Sequence, residues 1–172
     1  MPVRKLSIFI CIYWEENLYR ALDSKKVLVI NGPNIDLLGM REPDIYGSVS
    51  YEDLEELIKR KGGDLALIVD CFQSNSESAI IAKIHKARDD QTNFIVINAA
   101  AFTHTSIAIR DALIAVSIPL IEIHISNIYK REQFRHKSYL SDIALGVIAG
   151  MGVDGYIYAL EKAADILSKD CH

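Results

Sequence analysis

Short apolar runs alternate along the chain with longer segments whose apolar positions recur every three or four residues. The runs predict five strands, at Lys26–Asn31, Leu65–Phe72, Phe94–Asn98, Leu120–His124 and Ile143–Ala149. The longer segments predict four helices, at Tyr51–Lys61, Ser76–Asp90, Thr103–Ser117 and Gly155–Ser168. Gly62-Gly63 is expected to end the first helix, because glycine disfavours the helix interior. Strands that alternate with helices in this way are typical of βαβ units and a parallel sheet.

The strands are apolar throughout, which is typical of a sheet covered by helices on both faces. We therefore expect an α/β fold: a flavodoxin-like, doubly wound, five-stranded parallel sheet in a three-layer αβα arrangement. On the third helix the expected core positions are Ile107, Ala108, Leu113 and Ile114.

Four predicted strands run into polar side chains at their carboxyl ends. These side chains are amides, hydroxyls, a carboxylate and an imidazole: Asn31, Asn34, Gln73, Ser74, Asn75, Asn98, Glu122, His124 and Ser126. Ligands of open α/β sheets bind outside the carboxyl ends of the strands. Taken alone, an asparagine at a strand end is better explained as a turn cap. The convergence of four strand ends favours a pocket for a polar, uncharged-to-anionic small molecule.

Three further segments carry candidate chemistry. His104 and Asp111 are seven positions apart, so one helix face would present both to a ligand; a surface ion pair of Asp111 is the alternative. Residues 127–139 are basic and aromatic and could hold a carboxylate, unless they form a solvated loop; their cations are Lys130, Arg131, Arg135, His136 and Lys137.

The loop Gly32–Gly47 is long for a compact domain, and such loops are often functional lids. It contains Arg41 and Tyr46, and a guanidinium near a phenol favours the phenolate. The pair could therefore form an activated base. The alternative is a tyrosine that packs under the loop.

Length and composition narrow the class of protein. A chain of 172 residues with 50% hydrophobic residues suits one domain with a buried core. The formal net charge of −4 argues against nucleic-acid binding, and no run of about 20 apolar residues predicts a membrane span. Three cysteines without motif spacing fit a reducing compartment, so we expect a cytoplasmic protein. No phosphate-binding glycine loop, paired-cysteine or zinc-binding histidine motif is present in the sequence.

The first 25 residues differ in character from the rest. Arg4 and Lys5 precede an apolar stretch, which resembles a signal peptide, but Glu15 and Glu16 follow at once and no cleavage site is evident. We expect residues 1–25 to be an extension of unknown role and residues 26–172 to be a single catalytic domain.

Four strings in this sequence resemble type II 3-dehydroquinate dehydratases. They are NGPNIDLLGMREPDIYG (Asn31–Gly47), FQSNSES (Phe72–Ser78), INAAAFTHTSIAIRDAL (Ile97–Leu113) and IEIHISNIYKREQFRHKSY (Ile121–Tyr139). The resemblance covers about residues 26–168 and leaves out residues 1–25. Asp36 is one small departure, since the family's loop often has Asn there.

The resemblance implies a flavodoxin-like fold and the anti elimination of water from 3-dehydroquinate through an enolate, with no metal and no cofactor. By motif position, Tyr46 would be the base and Arg41 would lower its pKa. His124 would be the general acid, Glu122 would orient it, and Asn34 would hold a water that stabilises the enolate.

Substrate-binding residues follow from the same resemblance. Asn98, His104 and Asp111 would contact the ring and its hydroxyls, and Ile125 and Ser126 would hold the carboxylate. The remaining two are arginines of the basic segment, Arg135 as a hydroxyl ligand and Arg131 as a second lid residue. The family is commonly a dodecamer of four trimers. A ligand-binding protein without catalysis, a lyase of quinate catabolism, and a scaffold that uses its N-terminal segment remain alternatives.

Overall fold

The computed structural model describes residues 25–40 and 49–169. Within them, five parallel strands form one sheet: β1 (Lys25–Asn31), β2 (Leu67–Gln73), β3 (Phe94–Asn98), β4 (Leu120–His124) and β5 (Gly146–Ala149). Four α-helices accompany them in the same part of the chain: α1 (Tyr51–Asp64), α2 (Glu77–Asp89), α3 (Ile107–Val116) and α4 (Asp154–Lys169). Short 3-10 turns lie at Ile35–Leu37, Ala100–His104, Ile128–Lys130 and Gln133–Arg135.

The strand order is β2-β1-β3-β4-β5, which is the doubly wound, flavodoxin-like order. The chain reverses direction across the sheet between β1 and β3. Asn31 pairs in register with Gln73 of β2 and with Asn98 of β3, so three polar strand ends lie at one level. The predicted fold class is confirmed.

Alternation along the central strands builds two cores. In β1, Val27 and Val29 face one core, and Leu28 and Ile30 face the other. The first core is completed by α1 and α4, the second by α2 and α3. Helices therefore cover both faces of the central strands, and the polar ends of β1, β3 and β4 lie at the carboxyl edge of the sheet.

Helix α1 runs through both glycines and ends at Asp64, so the prediction that Gly62-Gly63 ends it was wrong. A Cβ atom on Gly62 would lie 2.3 Å from a methyl group of Val69 on β2. Gly62 thus permits a close contact between helix and strand, and it does not end the helix.

The predicted third helix is divided in two. Ala100–His104 forms a 3-10 turn, and α3 begins only at Ile107, after Ser106 accepts a hydrogen bond from the Ile109 amide at 2.9 Å. The core face also differs, since Ile107 and Ile114 are 56% and 49% exposed. No described helix is long and apolar enough to cross a membrane.

Candidate active site

An open cleft lies at the carboxyl edge of the sheet, above β1, β3 and β4. It encloses about 780 Å³ of empty space, including the part that opens to solvent. Its wall contains most of the predicted ligand-binding residues, namely Asn34, Asn98, His104, His124, Ile125, Ser126, Arg131 and Arg135. Three of the four strand ends that the sequence predicted to converge therefore form a cavity, while Gln73, Ser74 and Asn75 after β2 do not line it.

A buried histidine–carboxylate pair forms part of this wall. His124 is the last residue of β4, and its Nε2 atom lies 2.8 Å from Oε1 of Glu122. Glu122 has no exposed surface, whereas His124 retains 5% exposure and borders the cleft. The β-strand itself sets this geometry, because side chains two residues apart point to the same face of a strand.

Two hydroxyl groups complete the surroundings of Glu122. Thr103, in the 3-10 turn after β3, donates to Glu122 Oε1 at 2.7 Å. Ser138, in the polar segment after β4 (residues 127–139), donates to Oε1 at 2.8 Å and to Oε2 at 3.0 Å. Burial would raise the pKa of Glu122, but the hydrogen bonds from His124, Thr103 and Ser138 outweigh it and lower the pKa. Glu122 is therefore an ionised carboxylate at neutral pH.

A second imidazole stands beside the first. The rings of His104 and His124 are stacked, with centroids 6.2 Å apart and an interplanar angle of 12°. His104 Nδ1 lies 2.7 Å from the Lys137 carbonyl oxygen, which can only accept, so Nδ1 carries the proton. Burial, with the nearby charges of His124 and Arg135, lowers the pKa of His104. His104 is neutral, and its Nε2 can accept a hydrogen bond from a ligand hydroxyl.

Asp111 does not share this wall. It is exposed on α3, outside the residues that line the cleft within one chain, while His104 belongs to the preceding 3-10 turn. The expectation that one helix face presents both residues was wrong, because the helix begins three residues after His104.

The start of the long loop is fastened to the sheet. Asn34 has a left-handed backbone (φ 67°), and its backbone N–H donates to Asn75 Oδ1 at 2.7 Å. Asn75 Nδ2 donates in turn to Asp36 at 3.0 Å. Gly32 donates to the Asn98 carbonyl at 2.8 Å, and a Cβ there would lie 2.3 Å from the oxygen of Ala99. Glycine at this position therefore brings β1 and β3 together where the cleft opens.

A neutral polar cluster lies under the same edge. The fully buried Tyr156 of α4 donates its hydroxyl to Asn31 Oδ1 at 2.6 Å and accepts from Asn98 Nδ2 at 2.8 Å. Burial raises the pKa of Tyr156 despite the hydrogen bond from Asn98. The phenol stays protonated, and it fixes which way the Asn98 amide faces.

Two arginines of the segment after β4 border the same cleft. Arg135 donates to Glu132 at 2.8 Å, and Arg131 lies 3.6 Å from the same carboxylate oxygen. Their guanidinium side chains are only 23% and 15% exposed. The pair gives this side of the cleft positive potential, which suits an anionic ligand.

No sequence pattern pointed to Ser138 or Tyr156 as site residues, or to a contact between Thr103 and Glu122. Ser138 reaches Glu122 across sixteen residues, and Tyr156 reaches Asn31 across 125, so no local spacing relates them. The predicted base Tyr46 and its partner Arg41 lie outside the described residues. Among the described residues, no group of three His, Cys, Asp or Glu side chains is arranged to hold a metal ion.

Comparison with known proteins places this cleft in a family context. The family model described as "Dehydroquinase class II" matches residues 25–164. The 3-dehydroquinate dehydratase of Enterobacter sp. (strain 638) is 56% identical over 147 residues, covering 86% of this chain and 97% of the relative. That of Pasteurella multocida (strain Pm70) is 52% identical over 145 residues, covering 84% of this chain and 97% of the relative.

Solved structures agree with these relatives. The type II dehydroquinase from Propionibacterium acnes superposes with a TM-score of 0.79 at 48% identity, covering 83% of this chain and 97% of that one. The type II dehydroquinase from Butyrivibrio crossotus DSM 2876 gives 0.80 at 49% identity, covering 81% and 97%.

Proposed function

Because the chain belongs to the class II dehydroquinase family, we propose that it is a hydro-lyase that converts 3-dehydroquinate to 3-dehydroshikimate. This is a step of the shikimate pathway of aromatic amino acid biosynthesis. The observation that carries the proposal is the buried His124–Glu122 pair on the wall of a cleft lined by amides, imidazoles and guanidinium groups.

The reaction needs a base and an acid at different atoms of the substrate. A base removes the proton beside the ketone, and the C–H electron pair passes into an enolate. The enolate then re-forms the ketone, a ring double bond forms, and the C–O bond to the hydroxyl breaks. A general acid supplies the proton that turns the leaving hydroxyl into water.

His124 suits the acid role, because its Nε2 is bound to Glu122 and its ring borders the cleft. The ionised Glu122 accepts the hydrogen bond from His124 Nε2 and holds the ring in place. Asn34, at the cleft opening, would hold the water that stabilises the enolate oxygen.

Tyr46 is proposed as the base and Arg41 as the group that lowers its pKa, on motif position alone. Substrate binding is assigned to groups around the cleft, with Asn98 and His104 toward the ring hydroxyls. The remaining proposed ligands are Ile125, Ser126 and Arg135, with Arg131 beside them and Asp111 outside the cleft of a single chain.

An ultraviolet assay tests the proposal directly. The purified protein is mixed with 3-dehydroquinate in the presence of EDTA, and the absorbance of the conjugated enone product is followed. We expect the absorbance to rise. A folded protein that binds the substrate without producing enone would contradict catalysis and support the ligand-binding alternative.

Three further proposals accompany this function. We propose that the protein assembles as a homo-oligomer, a dodecamer of four trimers, and that it acts in the cytoplasm. We also propose that residues 26–172 form one catalytic domain, which follows the extension of residues 1–25. Light scattering on the full chain tests the assembly.

The same chemistry serves quinate catabolism, and growth of an aromatic auxotroph lacking its own dehydratase tests whether the protein can support biosynthesis.

A further inference from the structure

Glu122 has two neutral partners to which the proposed chemistry gives no role. Thr103 approaches from the 3-10 turn after β3, and Ser138 approaches from the polar segment after β4. Neither residue belongs to the lining of the cleft, so neither is placed to touch a substrate. What they touch is the carboxylate that holds the candidate acid.

The proton of Ser138 has only one available direction. A hydroxyl has one proton and two lone pairs. The Ser138 oxygen accepts the backbone amides of Leu140 at 2.9 Å and Ser141 at 3.0 Å. Its proton therefore points to Glu122, at 2.8 Å from Oε1 and 3.0 Å from Oε2. Ser138 is a fixed donor, and Glu122 must accept from it.

Thr103 adds a second donor on the same oxygen. It is fully buried and lies 2.7 Å from Glu122 Oε1, which also faces His124 Nε2 at 2.8 Å. A buried carboxylate is costly unless hydrogen bonds compensate it, and neutral hydroxyls compensate it without adding charge. An acceptor at Oε1 requires a proton on His124 Nε2. Among the described residues His124 Nδ1 has no hydrogen-bond partner, so it is the nitrogen left for a ligand.

We propose that Thr103 and Ser138 are positioning residues: by holding Glu122 as an acceptor, they fix the proton on His124 Nε2 and reserve Nδ1 for the leaving hydroxyl. The proposal rests on the proposed dehydratase function. In the elimination step, the Nδ1–H bond of the imidazolium breaks as the departing hydroxyl takes its proton and becomes water. The ring is left neutral, with its Nε2 proton still donated to Glu122.

Other charged groups near Glu122 are few within the described residues. His124 lies on the same strand, and His104 lies beyond it on the 3-10 turn. The charge of Arg135 helps to lower the pKa of His104. The Lys137 carbonyl accepts from His104 Nδ1, while the Lys137 ammonium lies over the Tyr139 ring. The test variants leave all of these groups unchanged.

The test is Thr103→Val, which keeps the shape of the side chain and removes the donor. We expect kcat to fall about tenfold, as for loss of a hydrogen bond to a charged group, with little change in KM. The acidic limb of the kcat profile should move to higher pH, because Glu122 with one donor fewer keeps its proton to a higher pH. Thr103→Ser should restore both. Thr105→Val is the matched control, since Thr105 is exposed and its hydroxyl faces Ala101 instead.

Ser138→Ala is the second variant, with Ser141→Ala as its control at an exposed serine. Circular dichroism and urea unfolding first establish that each variant is folded, since Ser138→Ala also leaves two backbone amides without their acceptor. A fall in kcat in Thr103→Val with an unmoved acidic limb and no rescue by Thr103→Ser would reduce both hydroxyls to a structural role and overturn the proposal.

Nitrogen-15 NMR of the histidine rings provides a readout that does not need turnover. We expect His124 of the wild type to be protonated on Nε2, and Thr103→Val to show a mixture of the two tautomers. A wild-type ring protonated on Nδ1 would overturn the positioning proposal even in an active enzyme. Absence of turnover with the expected tautomer would instead reject the dehydratase function and leave the positioning intact.

Discussion

Two polar clusters lie beneath the cleft: one contains an ionised carboxylate and an imidazole, and the other contains only neutral groups. The acid cluster consists of Glu122, His124, Thr103 and Ser138. The amide cluster consists of Asn31, Asn98 and Tyr156. Both lie at the carboxyl ends of central strands, and every member except the half-buried Ser138 is at most 5% exposed. Their difference separates the part of the site that exchanges protons from the part that holds its shape.

Burial acts to raise the pKa in both clusters, but the net shifts have opposite signs. In the acid cluster, donors outweigh burial, so the pKa of Glu122 is lowered and the carboxylate stays charged. In the amide cluster, burial dominates, so the pKa of Tyr156 is raised and the phenol stays neutral. Amides do not titrate at all. Of the two clusters, only the acid cluster can therefore give the site a pH dependence in the range where histidines and carboxylates change charge.

His124→Gln should have the largest effect, because it removes the only member of either cluster that borders the cleft and can carry a transferable proton. Loss of a general acid typically lowers kcat by about 10²–10⁴-fold. The enone assay measures this loss. His85→Gln, at an exposed histidine on α2, is the control and should behave as wild type. A His124→Gln enzyme within about threefold of wild-type kcat would remove His124 from the acid role.

All five strands could be predicted from the sequence, although β5 begins at Gly146 and not at Ile143. Strands buried on both faces, such as β3, are continuous apolar runs, and runs this short are typical of strands rather than of helices. Helix faces were harder where the helix is apolar on all sides. In α3, apolar residues occupy nearly every position. The spacing of apolar residues therefore does not show that Ile109 is buried while Ile107 and Ile114 are exposed.

The site was predictable only where the chain itself carries the geometry. Glu122 and His124 are two residues apart on one strand, so their pairing follows from the period of the strand. Thr103, Ser138 and Tyr156 reach the clusters through turns and helix packing. Their approach depends on where α3 begins and on how residues 127–139 bring Ser138 to Glu122, and hydrophobic periodicity does not encode either.

Tyr156→Phe sharpens the comparison from the other side, with an effect on stability rather than on chemistry. It leaves Asn31 Oδ1 and Asn98 Nδ2 without their shared partner in a fully buried place. An unsatisfied buried polar group costs about 1–3 kcal/mol of unfolding free energy, measured by urea titration. Tyr158→Phe is the matched control on the same helix, since Tyr158 is 49% exposed.

The kinetics of Tyr156→Phe distinguish the two clusters. We expect a moderate rise in KM, because the Asn98 amide loses the hydroxyl that orients it, and an unchanged kcat–pH profile. A shift in that profile would show that the amide cluster is coupled to proton transfer, and the separation between the two clusters would fail.

His104 stacks on His124 of the acid cluster and should give the smallest effect, a pH dependence of stability. Burial lowers its pKa below the ordinary value of 6.5, so the unfolded chain takes up a proton at a higher pH than the folded chain does. The contribution of His104 is therefore complete above pH 6.5 and is lost as the pH falls from 6.5 through its folded pKa. Urea unfolding at about pH 7.5 and about pH 5.5 should show a larger loss for wild type than for His104→Gln. His136→Gln is the control and should lose as much stability as the wild type does. An equal loss in His104→Gln would mean that the wild-type His104 imidazole is solvated like a surface side chain and does not present a neutral Nε2 to the ligand.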